Sequence, residues 1–412
     1  MNQLVSMYIA NRISVVNTRL LGALLLLILA LAFNVNWMKT STGEMGGDEG
    51  EYNSLARNII TGQGFTSETG QATAHRTPGF PLILGAIYFF TDGDVALTRI
   101  VLVILTSLTS LAIYWICLLS FDDIFIALIS GLSWAAMAMT IHLSGLLYGE
   151  SLAALIFAIA LLLSVLAKKY NSDICAGLAG LLMGFAILIR GYLILVILGP
   201  FIWLLLWKKR LALVFLLFAM LLPGLWIARN KIVLQALTLS TQTAKELWSG
   251  NNAWTRGAWA GYDWLSADPQ QLQYMRSKYP EFDTLNEVER SRRYSKEFVV
   301  EVTNHPKRIA WLIPRKIFIY LSPASYLGYD LVYAVLLPFS LIGIIGLWKN
   351  RELRHWLWLM GFPIIGVMLI CILTFGDARF RHPVNAMFAV LAALGLRHSL
   401  KYVLFTKYFK SA

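Results

Sequence analysis

The chain has 412 residues, 58% of them hydrophobic and 14% charged, against roughly 45–50% and about 25% in ordinary soluble domains. That composition excludes a soluble enzyme, and apolar runs recurring from residue 20 to residue 404 indicate a polytopic membrane protein. The net charge of +12 is concentrated on one side of those runs. With the N-terminus inside, fourteen Lys and Arg but only four acids fall at the cytoplasmic ends and loops. This is the positive-inside pattern, so the excess reads as topology and no nucleic-acid partner is expected.

Ten candidate spans follow in chain order: 20–37, 98–119, 124–142, 151–167, 175–189, 192–207, 211–228, 331–348, 356–374 and 383–404. Both termini are then cytoplasmic. Arg12 and Arg19 precede an apolar stretch containing Ala30-Leu31-Ala32, the outline of a signal peptide. The run continues through Phe33 to Trp37, so it reads as a retained first span. The expected organisation is an N-terminus and first span over 1–37, a first outer loop over 38–97, a six-span core over 98–228, a second outer segment over 229–330, and three last spans with the C-terminus over 331–412. Cys117, Cys175 and Cys371 fall within spans without a CxxC spacing, which points to buried thiols rather than disulfides or a metal site.

The first outer loop predicts a helix from about Asp48 to Thr61, closed by Gly62, because Asp favours helix starts and Gly helix stops. Tyr52, Leu55, Ala56 and Ile59 share one face, able to lie flat on the bilayer surface. The apolar stretch from Pro78 to Thr91 is short for a span and reads as interfacial or re-entrant. Glu150 starts a span, where a carboxylate suits a helix N-terminus, and Arg190 ends one, where it can snorkel. The second outer segment holds an aromatic, Gly-rich part from Gly250 to Tyr262, a polar helix near Thr284 to Thr303 and an interfacial strip from Ile309 to Tyr320. Asn251, Asn252 and Trp254 in it are candidates for substrate contact or for loop packing.

Three motifs carry chemistry, all on the outer side. Gly47-Asp48-Glu49-Gly50-Glu51-Tyr52 puts three carboxylates in four residues, which the helix dipole alone would favour. His75-Arg76-Thr77-Pro78-Gly79-Phe80-Pro81 follows, and Gly376-Asp377-Ala378-Arg379-Phe380-Arg381-His382-Pro383 lies at the outer end of the last two spans. The bland reading of Arg379 and Arg381 is a pair of surface charges flanking the bilayer. His75, His142, His305 and His382 are scattered, as scaffold histidines are. Neither a Walker pattern nor His-Glu-x-x-His is present, so no cofactor and no metal are expected. The span interiors carry no acidic residue, which favours surface chemistry over the alternative, a transporter or flippase of a lipid-linked sugar.

The acidic pair, the following Tyr and Leu-Ala, Gly62-Gln-Gly64-Phe65, Arg76-Thr-Pro-Gly-Phe-Pro81, Tyr148-Gly-Glu150, Asn304-His-Pro306 and Arg379-Phe-Arg381-His-Pro383 occur in this order from about residue 40 to 400. This series resembles the polyprenyl-phosphate-sugar-dependent glycosyltransferases of the GT-C superfamily, in the protein O-mannosyltransferase and aminoarabinose transferase branch. The resemblance implies an all-α, GT-C-like membrane fold with interfacial helices in the first outer loop. It also implies inverting transfer of one sugar from a polyprenyl-phosphate-linked donor to a glycan, lipid or protein acceptor, in the inner membrane of a bacterium with the active site on the periplasmic or extracytoplasmic face. One base suffices for such a displacement, and the anionic leaving group needs cations rather than a second acid. The resemblance places the base at Asp48 and a phosphate ligand at Arg76; Glu49 would orient the acceptor or fix a neighbouring cation. Some relatives place an arginine in the first turn after the acidic pair where this chain has Glu51, which moves weight onto Arg379 and Arg381. Tyr52, His75, Glu150, Asn251 and Asn252 complete the expected substrate-binding set.

The topology is checked by cysteine labelling. Single cysteines placed over 250–258 are expected to react with a membrane-impermeant reagent in intact cells, and cysteines at either end only after permeabilisation; labelling of the termini from outside would invert the orientation.

Overall fold

The computed structural model describes residues 2–38, 45, 47–258, 264–325 and 328–410, with side chains described over 15–36, 45, 47–258, 269–325 and 328–400. Residues 259–262 of the aromatic stretch lie outside the described residues. Among the described residues the regular elements are helices and one two-stranded hairpin, β1 (Ala324–Ser325) paired antiparallel with β2 (Gly328–Tyr329), with isolated bridges at Thr66–Ala72 and Ala258–Gly376.

Helix α1 (Asn2–Met38) is followed by two short helices of the first long loop, α2 (Asp48–Ile60) and α3 (Gly79–Thr91). Then come α4 (Val95–Phe121), α5 (Ile124–Ala136), α6 (Ala138–Leu143), α7 (Gly149–Tyr170), α8 (Asp173–Ile189), α9 (Leu198–Leu205) and α10 (Lys209–Leu234). The second long loop carries α11 (Gln242–Ser249), α12 (Trp264–Lys278), α13 (Glu287–Asn304) and α14 (Pro306–Leu321). Helices α15 (Leu331–Lys349), α16 (Trp356–Leu373) and α17 (Asn385–Lys410) close the chain. Tight 3-10 turns precede α9, over Gly191–Ile197, and α17, over Ala378–Val384.

Among the described residues six helices are long and apolar enough to cross a membrane: Val15–Asn36 of α1, and α4, α7, α10, α15 and α16. This corrects the expected ten. The run 124–142 breaks at Met137, whose extended backbone separates α5 from α6, and the run 192–207 opens as a 3-10 turn. Helix α8 has 17 residues and α5 has 13, or about 25 and 20 Å at 1.5 Å per residue, short of a hydrocarbon core of about 30 Å. Hydropathy registers the apolar run but not the break within it. The break is built in: Asp330 accepts from the free Met139 N–H at the start of α6 at 3.2 Å while capping α15 through Tyr333 N at 2.9 Å.

Helix α2 starts one residue after Gly47, whose φ of +55° suits glycine, and ends before Gly62 at φ +79°. Its apolar face does not lie on lipid as expected. Tyr52, Leu55 and Ala56 are buried in the protein, with Tyr52 edge-on to Phe80 of α3 at 5.0 Å between ring centres. Helix α13 opens with a capping box between Asn286 and Glu289. The two long loops pack on each other: Glu287 of α13 accepts from Thr73 Oγ1 at 2.6 Å and Ala74 N at 2.7 Å. A separate apolar cluster of Ala244, Trp248, Met275, Tyr279, Phe282 and Tyr294 holds the second loop together. The basic connections pair among themselves through Arg19–Asp122 at 2.6 Å, Arg397–Asp123 at 2.9 Å and Lys168–His355 at 3.0 Å.

Helix crossings in the bundle use small residues, which let backbones approach. A Cβ on Gly180 of α8 would sit 2.1 Å from Phe215 O of α10, and one on Gly343 of α15 would sit 2.0 Å from Leu391 O of α17. Gly343→Ala therefore forces two backbones apart, and overpacking of this kind costs about 1–3 kcal/mol. Gly346, one turn on, faces open space. Thermal unfolding in detergent is expected to fall for Gly343→Ala and to stay level or rise for Gly346→Ala; equal effects would refute the close crossing.

Candidate active site

Four segments meet where the two long loops cover the bundle. Helix α2 supplies Asp48, Glu51 and Tyr52 in its first turns, where free N–H groups favour anions. The loop into α3 supplies Arg76. It is held from both sides: Arg229 Nη1 donates to Thr73 O at 2.8 Å, Ser240 Oγ to His75 O at 2.5 Å and Thr77 Oγ1 to Ile189 O at 3.3 Å. A Cβ on Gly79 would lie 2.6 Å from the Ile189 nitrogen, so glycine is what lets this loop sit against the end of α8, beside Arg190. The first turn of α7 brings Glu150. The 3-10 turn brings Arg379, whose N–H is capped by Asp377 Oδ1 at 2.7 Å.

Acids and guanidinium groups alternate through this site. Arg76 Nη2 donates to Asp48 Oδ1 at 2.6 Å, and Arg379 Nη1 to Asp48 Oδ2 at 3.2 Å. Arg76 also donates through Nε to Glu51 Oε2 at 2.8 Å. Arg379 Nε lies 3.2 Å from Glu150 Oε1, while Glu150 Oε2 pairs with Arg190. Arg190 in turn donates to Tyr52 OH at 2.8 Å. The Tyr52 ring is flanked by the guanidinium groups of Arg76 and Arg190, at 5.3 and 5.4 Å from its centre, and Tyr148 by that of Arg379 at 5.3 Å. Burial alone raises the Asp48 carboxyl, but Arg76, Arg379 and then Arg190 overcome it and hold the group well below the usual carboxylate range. Arg76 is held upward: burial opposes its charge, and Tyr52, Asp48 and Glu51 more than restore it. The side chain of Asp48 is 20% exposed and that of Glu150 is 0%. Only the first can meet a substrate directly; the second positions Arg190 and Arg379.

The expected residues thus separate into those brought together and those not. Asp48, Arg76, Arg379, Tyr52 and Glu150 share the network, and His75 touches its rim, its Nε2 at 3.5 Å from Glu51 Oε1. Glu49 points away, accepting from Leu147 N at 2.8 Å and pairing with Arg99 at 3.3 Å. Arg381 is fully buried, stacks 3.6 Å from the centre of the Tyr333 ring and donates to the carbonyls of Tyr320 at 2.5 Å and Ser322 at 2.7 Å. It ties α14 to the 3-10 turn and does not join Arg379. Asn251 is a packing knot, donating to Leu247 O and Leu373 O at 2.7 Å and accepting from Lys316 Nζ at 2.7 Å. Asn252 is buried and caps Trp254 N at 3.0 Å. Arg190 does not snorkel: it is buried and paired at the core of the network, and the only sequence signal for that was a charge closing an apolar run before Gly191. A cavity of about 1090 Å³ opens beside the network, lined by Glu51, His75, Gln71, Asn286, Glu287 and Arg290 among others.

No protein-family model matches the sequence, and no curated protein matches it. Solved structures do match in shape. The oligosaccharyltransferase of Archaeoglobus fulgidus in the apo form superposes with a TM-score of 0.55 at 15% identity, over 95% of this chain and 52% of that one. The same enzyme in complex with Zn and sulfate gives 0.51 at 16% identity, over 92% and 50%. ArnT from Cupriavidus metallidurans bound to undecaprenyl phosphate gives 0.41 at 14% identity, over 93% and 78%. This chain therefore spans about half the length of the oligosaccharyltransferase it matches. The fold is an all-α helical bundle, with helices long and apolar enough to cross a membrane, arranged like that of the oligosaccharyltransferase.

The buried acid makes a structural prediction. Glu150→Gln leaves Arg190 and Arg379 facing a neutral group, and breaking a buried pair costs about 3–5 kcal/mol. Asp122→Asn, at an exposed pair, is expected to cost at most about 1 kcal/mol. Thermal melts in detergent check the contrast, and similar losses would remove Glu150 from its positioning role.

Proposed function

We propose that this protein is an inverting membrane glycosyltransferase that moves a monosaccharide from a polyprenyl-phosphate carrier to an acceptor hydroxyl on the outer face of the membrane, in a bacterial inner membrane. The observation that carries this reading is a partly exposed carboxylate, Asp48, held between two arginines where the long loops cover the bundle. The GT-C-type fold supports it.

The donor phosphate takes Arg76 and Arg379, whose forked donors suit phosphate oxygens. Asp48 loses those partners and gains an anionic neighbour, so its affinity for a proton rises. The acceptor comes through the cavity beside Glu51 and His75. Asp48 takes the proton of its hydroxyl, the hydroxyl oxygen bonds to the anomeric carbon from the face opposite the phosphate, and the carbon–phosphate-oxygen bond breaks. The electron pair leaves with the polyprenyl phosphate, whose charge Arg76 and Arg379 stabilise. Glu150 and Tyr52 hold Arg190 behind them.

Loss of a positioned base costs about 10²–10⁴-fold in rate. Asp48→Asn is therefore expected to abolish transfer nearly completely with the fold retained. Glu49→Gln, which weakens the Arg99 contact, is expected to hurt less, and Glu51→Gln least. A panel of undecaprenyl-phosphate sugars assayed with purified protein checks the order; an active Asp48→Asn beside a dead Glu51→Gln moves the base, and three active variants end the transferase reading. Arg76→Ala is expected to weaken donor binding and Arg76→Lys to retain part of it. Turnover of a nucleotide sugar with no lipid carrier would refute the donor class.

A further inference from the structure

One carboxylate beside the network has no assigned work. Helix α11 crosses over the site, pinned at both ends to the segments that carry the arginines. At its start Thr241 N donates to Ala74 O at 3.0 Å and Ser240 Oγ to His75 O at 2.5 Å, two and one residues before Arg76. At its end Gly250 lies so close to the 374–376 segment that a Cβ would fall 1.9 Å from Thr374 O, and Gly376 N donates to Gly257 O at 2.7 Å, three residues before Arg379. Glu246 is the single acid on this helix.

Glu246 is half-buried, and among the described residues its side chain makes no hydrogen bond and no ion pair. Ala244 and Trp248, two residues to either side, pack into the cluster with Tyr294 of α13, so Glu246 lies on the opposite face of α11; the charges acting on it there are those of Arg76, Arg190, Arg379 and Asp48. Burial pushes its carboxyl upward, against those arginines. Neither carboxyl oxygen is shut off from water, so both are open to hydroxyl donors of a ligand.

The chemistry of that ligand is constrained. A carboxylate repels the phosphate that Arg76 and Arg379 attract, so the part of the donor beside Glu246 is not its phosphate. The sugar ring is one bond from that phosphate and offers hydroxyl donors, which satisfy a carboxyl group without competing for guanidinium. The cavity proposed for the acceptor is lined by Glu51 and His75 and not by Glu246. We propose that Glu246 is a specificity residue that accepts hydrogen bonds from hydroxyl groups of the transferred sugar, holding the ring between α11 and the Asp48–arginine network. This rests on the transferase reading above.

The test compares two ligands on the full-length protein in detergent: undecaprenyl phosphate, and the undecaprenyl-phosphate monosaccharide that the wild type turns over best. Glu246→Ala is expected to weaken the sugar-bearing ligand by about 10–100-fold, the worth of one or two charge-assisted hydrogen bonds, and to leave undecaprenyl phosphate unchanged. Glu246→Gln keeps an accepting oxygen and is expected to retain part of the difference, which also guards against a misfolded alanine variant. Equal weakening of both ligands, or of neither, overturns the proposal. Unchanged binding with lost turnover would make Glu246 a proton acceptor instead and also overturns it. A wild type that binds neither ligand brings down the transferase reading itself, and this inference with it.

Discussion

The carboxylate of Asp48, held by Arg76 on one oxygen and Arg379 on the other, is the contact on which the geometry of the site depends. It joins segments more than three hundred residues apart in sequence. Because the groups are largely removed from water, each charge is tolerable only while its neighbours stay in place. Glu51, Arg76, Asp48, Arg379, Glu150 and Arg190 form a chain of alternating sign, so a shift in any one of α2, the loop into α3, the end of α8 or the 3-10 turn exposes a charge in another. The network is at once a candidate site and the clasp between the two long loops and the bundle.

Charges alone do not set distances this close, and the backbone supplies the rest. Three glycines stand where the arginine-bearing segments touch their supports: Gly79 against Leu188 and Ile189, Gly250 against Thr374, and Gly376 against Lys316 O, where a Cβ would lie 2.9 Å away. At each, a side chain would push the loop off its support and loosen the approach of guanidinium to carboxylate. Sites held by rigid neighbours keep their geometry better than sites on free loops. Here the loops gain that rigidity by lying against helices whose own crossings are limited by Gly180 and Gly343.

Much of this could be read from residues in order. Asp48 to Thr61 was legible as a helix because Asp favours a helix start and Gly62 a stop, and α13 was legible as a polar helix near Thr284 to Thr303. Asp48, Arg76 and Arg379 were legible through motif context. What composition could not give was interruption: a run of apolar residues looks the same whether or not Met137 is extended or residues 191–197 tighten into a 3-10 turn. Nor could it give direction. Arg379 and Arg381 are two apart on a turn of about three residues, so they face different ways, one to Asp48 and the other to the Tyr320 and Ser322 carbonyls. Glu246 carried no local signal, since the charges that act on it come from four other segments.

As the proposed base, Asp48 need not have a high proton affinity while the arginines hold it. The arginines that lower its proton affinity are the groups the proposed donor phosphate would engage, so proton uptake is disfavoured until a phosphate competes for them. Once it does, the carboxylate is left beside an anion rather than between two cations, and its proton affinity moves in the direction catalysis requires. Glu51 reinforces this by sharing Arg76 from the other side, so the guanidinium never depends on Asp48 alone and can pass to a phosphate without losing every partner. Acid strength in such a site is a property of which anion occupies the arginines, and in the proposed reaction the order, donor binding before proton transfer, follows from electrostatics without any moving part.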